Sequence, residues 1–156
     1  MSLDKVRAFF EKAGIADRII TFDVSTATVA LAAAAIGCEE ARIAKSLSFL
    51  LDGVPIMIVM ACDARIDNRK YKATFGSKAK MLSPEEDAEL IGHAVGGVCP
   101  FAVNENVRIF LDESLRRFET LFPACGSSDS AIELSPAEIE KYSGYEKWVD
   151  VCKIAE

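Results

Sequence analysis

Apolar and polar residues alternate with two different periods along this chain, and the changes of period mark its elements. From Ser2 to Ala13 the apolar positions Val6, Phe9 and Phe10 recur at helical spacing. Ser2 can cap that helix and Gly14 can end it. Arg18 to Asp23 has the composition of a strand. Ser25-Thr26 offers an N-cap to an Ala-rich helix that runs to about Ile36 and stops at Gly37. The small residues Ala30 and Ala32 to Ala35 predict close packing of that helix on a sheet. Arg42 to Leu51 then alternates with period two. Ile43, Lys45, Leu47, Phe49 and Leu51 share one face, and Ala44, Ser46, Ser48 and Leu50 the other. Asp52-Gly53 is a strong hairpin signal, and Val54 to Ala61 is an unbroken apolar strand, expected to be buried on both faces.

Helices are predicted over 67–75 and 84–92, the second with Ser83 as cap and Pro84 at its first position. Strand-like pieces follow at Phe101–Val103, Val107–Leu111, Phe118–Phe122, Ala131–Leu134 and Lys147–Cys152. Ser135-Pro136 opens a last helix that ends near Gly144. No repeat, low-complexity stretch or linker interrupts the order. It predicts one α+β domain over residues 1–156, with a mixed sheet because hairpins and crossovers alternate.

Composition narrows the classes. Hydrophobic residues make up 51% and charged residues 27%, a globular profile. The longest apolar runs, Val29 to Ile36 and Val54 to Cys62, are too short to span a bilayer, so no membrane association is expected. No charged segment followed by an apolar one opens the chain as a secretory leader would. The five cysteines, at 38, 62, 99, 125 and 152, fit neither a zinc site nor a disulfide framework, which points to a reducing cytoplasm. Neither a metal nor a cofactor is expected. The net charge of −6 argues against general adhesion to nucleic acid. Arg65, Arg69, Lys70, Lys72, Lys78 and Lys80 are nevertheless concentrated in one segment, opposed there only by Asp67. Such a segment is either a phosphate-contact patch or a solvated helix face.

Lys45 stands on the more apolar face of its strand, where an ammonium is costly to desolvate. It either snorkels to water or has a task. Gly92 to Phe101 forms a loop whose paired glycines let backbone N–H groups approach one point, as an oxyanion requires; a plain connecting loop is the other reading. Pro123 to Ser130 is a turn of small and hydroxyl residues, able to bind a polar ligand or simply to turn the chain. Cys99 and His93 could form a thiol and its base, but no orienting Asn or Asp accompanies them. Glu39-Glu40 and Glu85-Glu86-Asp87 read as first-turn helix charges.

Three segments together resemble the YbaK family, also called the prolyl-tRNA-synthetase-associated or editing domain family. Ser25-Thr26-Ala27-Thr28, then Gly37-Cys38, then Ile43-Ala44-Lys45-Ser46-Leu47-Ser48-Phe49 follow its first signature, with Ile36 where leucine is usual. Gly96-Gly97-Val98-Cys99-Pro100 matches its Gly-Gly-x-x-Pro loop. Gly126 and Ile132-Glu133-Leu134-Ser135-Pro136 resemble its late segment. The resemblance implies a barrel-like mixed sheet flanked by helices, and hydrolysis of the ester that joins a wrong amino acid to tRNA. It implies Lys45 and Gly97 as the catalytic positions. Thr26, Ser46, Gly96, Val98, Cys99, Pro100, Gly126, Ser127 and Ser128 would line the substrate site. Arg65, Arg69, Lys70 and Lys72 would touch tRNA. The implied partners are a mischarged tRNA, often that for proline, and an aminoacyl-tRNA synthetase, the chain acting as a free-standing member. Small amino acids such as Ala, Ser, Thr or Cys are the implied cargo. Some relatives carry a histidine or basic residue where Ser127 stands, which leaves the amino acid open. A non-catalytic tRNA- or nucleotide-binding module, or a synthetase regulator, of the same fold is the alternative.

Overall fold

Asp52 and Gly53 both adopt positive φ, 49° and 81°, the backbone of a two-residue hairpin turn that matches strand twist. The computed structural model describes residues 2–21, 29–93, 97–127 and 129–154. Its elements run α1 (Ser2–Ala13), β1 (Ile19–Thr21), α2 (Val29–Ile36), β2 (Ile43–Leu51), β3 (Val54–Ala61), β4 (Ala64–Ile66) and α3 (Asn68–Phe75). They continue with α4 (Pro84–Glu86), β5 (Arg108–Asp112), β6 (Phe122–Pro123), β7 (Ser130–Ile132), α5 (Pro136–Ser143), β8 (Lys147–Val149) and β9 (Cys152–Ile154). A five-stranded mixed sheet has the order β6-β2-β3-β5-β8, with β2 and β3 antiparallel and the other pairs parallel. Two antiparallel pairs, β1 with β7 and β4 with β9, close its flanks. The architecture is the expected α+β one, a curled, barrel-like sheet flanked by helices.

The central strand β3 is buried on both faces, as its unbroken apolar run requires. Met57, Val59 and Ala61 face a core that holds Phe10 of α1, Cys99, Phe101, Leu115 and Cys125. Ile56, Ile58 and Met60 face a second core with Tyr71 of α3, Phe110, Val149 and Cys152. Local sequence signals set the helix ends. Ser83 and Glu86 form a reciprocal capping box, as do Ser135 and Glu138. After Glu86 the helix widens into a π turn, Asp87–Ile91.

Four expectations are corrected. Phe101–Val103 is not a strand, because the Phe101 carbonyl is taken by the His93 ring rather than by a sheet neighbour. Phe118–Phe122 yields only β6, since the chain before it winds into a 3-10 turn, Glu113–Arg117. Lys147–Cys152 is split into β8 and β9, because the Val151 N–H donates to the Asp112 carboxylate and the Val151 carbonyl accepts from Asp67 N–H. The Ala-rich α2 buries Ala33 but leaves Ala30, Leu31, Ala34 and Ala35 exposed, so it touches the sheet by a narrow stripe. The proposed cap Ser25-Thr26 lies outside the described residues.

Candidate active site

The parallel pairing of β2 with β6 is two residues long, Ile43 with Phe122 and Ala44 with Pro123. Beyond it β2 continues as Lys45-Ser46, while the other strand becomes Ala124-Cys125-Gly126 and folds back so that Ala124 bridges Ala131. Lys45 is thus the first β2 residue past a fork in the sheet, and its backbone partner on the other side is Met60. Arg42 fixes the root of the fork. Its guanidinium donates to the Thr120 carbonyl and hydroxyl and to Glu133 Oε2 at 3.0 Å.

The glycine loop meets the fork through Gly97. A Cβ on Gly97 would lie 2.4 Å from the carbonyl carbon and oxygen of Gly126 and 2.7 Å from Ser127 N. Only a residue without a side chain fits against that backbone. Two segments thirty residues apart in sequence are therefore seated on each other. Pro100 and Cys99 are buried beneath them, and Val98 is half-buried. Thr26, Gly96 and Ser128 lie outside the described residues.

Lys45 is half-buried on the face it shares with Leu47, Phe49 and Leu51. Among the described residues its ammonium makes one long hydrogen bond, 3.4 Å, to the Cys62 carbonyl. Among the described residues it forms no ion pair. Asp63, next along the chain, is claimed by both Nη atoms of Arg117, which hold its carboxyl below the usual range. Among the described residues the Lys45 ammonium keeps donors unused where β6 leaves β2, a combination that suits an anionic or carbonyl ligand. Ser46 is half-buried on the opposite face of β2. Ser127 donates to Asp129 Oδ1 at 2.7 Å, and its hydroxyl oxygen lies 2.7 Å from Ser130 Oγ.

The Cys99–His93 pair proves close in space but chemically idle. Cys99 Sγ lies 3.6 Å from His93 Nε2, which is itself 2.8 Å from the Phe101 carbonyl. A carbonyl only accepts, so Nε2 carries the proton and cannot take one from the thiol. Burial pushes the Cys99 thiol up to about 12. His93 instead clasps the two ends of the glycine loop, a role that sequence spacing did not reveal.

That clasp is pH-sensitive. Burial pulls the His93 ring below the usual imidazole range, and its buried Nδ1 has no hydrogen-bond partner among the described residues. The unfolded chain, with an ordinary value near 6.5, takes up a proton first as the pH falls. The His93 contribution is therefore complete above about 6.5 and is lost as the pH falls toward the depressed folded value. Thermal melts between pH 7.5 and 5.5 should show a falling midpoint, with a shallower fall in His93→Gln. Equal slopes in the two proteins would remove this role.

The basic segment divides. Asp67 caps α3 by accepting from Arg69 and Lys70 N–H groups. Lys70 is tied to Asp150 Oδ1 and the Cys152 carbonyl, each at 3.0 Å, so its ammonium fastens β9 to α3. Arg69, Lys72 and Lys78, with Asn68 and Ala79, line a surface groove of about 440 Å³. Arg65 is exposed and pairs across the strands with Lys153, a like-charge neighbour that favours an anion nearby. Among the described residues, no three His, Cys, Asp or Glu side chains gather to hold a metal, and no helix is long and apolar enough to cross a membrane.

The chain is similar to known proteins over most of its length. Residues 23–142 match the aminoacyl-tRNA editing domain. The chain is 49% identical over 154 residues to the uncharacterized protein YwhH of Bacillus subtilis, with 98% of each covered. It is 26% identical over 109 residues to an Enterococcus faecalis protein, EbsC, provisionally named a Cys-tRNA(Pro)/Cys-tRNA(Cys) deacylase, covering 69% of this chain and 66% of that one. A solved structure, described provisionally as a trans-editing enzyme for prolyl-tRNA synthetase, superposes with a TM-score of 0.88 at 28% identity, with 97% of each chain covered. The segment from Asp23 to Tyr142 contains Lys45, the Gly97 loop and the Gly126 turn that it meets, and on that match the chain belongs to the aminoacyl-tRNA editing domain family.

Proposed function

We propose that this protein hydrolyses the ester of mischarged aminoacyl-tRNA, acting in trans in a reducing cytoplasm to support a prolyl-tRNA synthetase. The cargo is a small amino acid, Ala, Ser, Thr or Cys, on tRNA for proline. The seating of Gly97 on Gly126 and Ser127, a few residues beyond Pro123, which pairs with Ala44 next to Lys45, is the observation that carries this reading. The likenesses to EbsC and to the trans-editing structure support it.

An aminoacyl ester is already activated, so its hydrolysis needs a placed water, an orienting charge and donors for the oxyanion. Lys45 orients the terminal nucleotide and its ester. Backbone N–H groups of the Gly97-Val98-Cys99 segment meet the carbonyl oxygen as it becomes negative. Water adds to the carbonyl carbon, assisted by the free ribose hydroxyl. The carbon–oxygen ester bond breaks, a proton passes to the departing ribose oxygen, and the amino acid leaves as a carboxylate. Selection rests on pocket size, where one methylene is worth about 1–3 kcal/mol.

A deacylation screen tests the proposal. Turnover of Ala-, Ser-, Thr- or Cys-charged tRNA, with Pro-tRNA spared, supports it. Inertness towards all of them overturns it in favour of a binding module of the same fold.

The groove should hold tRNA phosphates. In Arg69→Glu/Lys72→Glu, KM is expected to rise about tenfold with kcat little changed, and its dependence on salt to flatten. Unaltered KM and salt slope would mark the groove as a solvated surface.

A further inference from the structure

Ser127 and Ser130 form part of a hydroxyl relay that ends on a carboxylate. Ser127 Oγ donates to Asp129 Oδ1 at 2.7 Å. Its only proton is used there, so Ser130 Oγ supplies the proton of the 2.7 Å contact and shares it with the Ser127 carbonyl at 3.3 Å. The order Ser130 to Ser127 to Asp129 is directional, and each hydroxyl polarises the next. Ser130 is buried and opens β7, so the relay rests on a rigid element. The relay fixes one carboxylate oxygen of Asp129 and leaves the other without a hydrogen bond among the described residues.

Asp129 is also without a countercharge. It is half-buried, and no Lys or Arg forms an ion pair with it among the described residues. The segments outside the described residues contain no Lys or Arg. The chain therefore holds a fixed anion in the same turn whose Gly126 and Ser127 backbone receives Gly97. That is the wrong charge for a nucleic-acid backbone and for the carbonyl of an ester. It suits a cation.

In an aminoacyl ester of Ala, Ser, Thr or Cys the group that can carry positive charge is the α-amine, as an ammonium, on the carbon next to the ester carbonyl. A group that holds the ammonium must therefore stand near the donors that hold the carbonyl oxygen, and Asp129 lies two residues along the chain from Ser127, whose backbone nitrogen lies against Gly97. We propose that Asp129 recognises the α-ammonium of the substrate, so that the site takes aminoacyl esters with a free amine and refuses N-acylated ones. The inference rests on the deacylase reading and extends it to a substrate class. An N-acyl amide carries no charge, is bulkier, and leaves the carboxylate desolvated and unpaired, which is how a polar site rejects a near-analogue. Peptidyl-tRNA has the same ester and an acylated amine, so this carboxylate would spare nascent chains.

The test compares wild type with Asp129→Asn, which keeps an acceptor for Ser127 and removes the charge. Each is assayed on the best aminoacyl-tRNA and on its N-acetyl form. Binding of 3′-deoxy-3′-(alanylamino)adenosine, whose amide resists hydrolysis, and of its N-acetyl derivative is measured alongside. Losing a charged hydrogen bond should lower kcat/KM on the free-amine ester about 10- to 100-fold. Turnover of the N-acetyl ester should hardly change, so the preference collapses. The amine-dependent part of analogue binding should vanish with it. A preference for free amine that survives in Asp129→Asn overturns the proposal. A wild-type protein inert towards every aminoacyl-tRNA overturns the hydrolytic reading instead. In that case amine-dependent binding lost in Asp129→Asn still supports the ammonium site, and amine-independent binding overturns it too.

Discussion

Lys45→Ala is expected to lower kcat for deacylation by about 10²–10³-fold, the loss typical when an electrostatic donor is taken from a developing oxyanion or its ester. The fold should tolerate the change. Among the described residues the ammonium makes a single 3.4 Å hydrogen bond and no ion pair, so little native energy goes with it. The β2 backbone pairing with Met60 does not depend on the side chain. The thermal midpoint should therefore stay within a degree or two of wild type. Lys70→Ala supplies the contrast, since that ammonium bridges Asp150 and the Cys152 carbonyl and its loss should act on stability. Single-turnover assays on mischarged tRNA with circular-dichroism melts read both quantities. Undiminished turnover in Lys45→Ala would remove the lysine from the mechanism.

Gly97→Ala should be as damaging to turnover and should also cost stability. The new Cβ would stand 2.4 Å from backbone atoms of Gly126, and backbone cannot swing aside as a flexible side chain can. One of the two loops must move, and overpacking of this kind costs about 1–3 kcal/mol. A midpoint lowered by several degrees follows, at about 2–4 °C per kcal/mol for a chain of this size. Turnover should fall further than the melt implies, because N–H groups placed for an oxyanion lose their aim with small displacements. Gly53→Ala is the control. It sits in the hairpin turn at φ 81° with nothing within 4 Å of its Cβ position. It should cost about 1 kcal/mol of backbone strain and leave turnover alone. A Gly97→Ala enzyme of wild-type activity would show that the loop contact is not part of the site.

What could be read early was local. The Asp52-Gly53 turn, the caps Ser83 and Ser135, and the buried run of β3 are each specified by neighbours a few residues away. What could not be read depended on a distant partner. The split of β8 from β9 exists because Asp112, nearly forty residues earlier, takes the Val151 N–H. The exposure of α2 follows from how little of the sheet it crosses, which its composition does not encode. Lys70 and Lys72 look alike in the basic segment. Only the position of Asp150 and Cys152 assigns one to the scaffold, and only the shape of the groove assigns the other to its wall.

The candidate site divides in the same way. Sequence by itself determined that a lysine would stand on an apolar strand face and that a glycine loop and a late hydroxyl turn existed, because strand period and turn chemistry are short-range properties. It left open whether they had anything to do with one another without recourse to a family resemblance. Tertiary structure decided that Gly97 rests on Gly126, that Lys45 emerges where β6 leaves β2, that the Cys99 thiol is buried beyond use, and that Asp129 ends a relay with no ion-pair partner among the described residues. Those are contacts between segments up to eighty residues apart, fixed by the packing of two cores around one strand, and no periodicity along the chain records them.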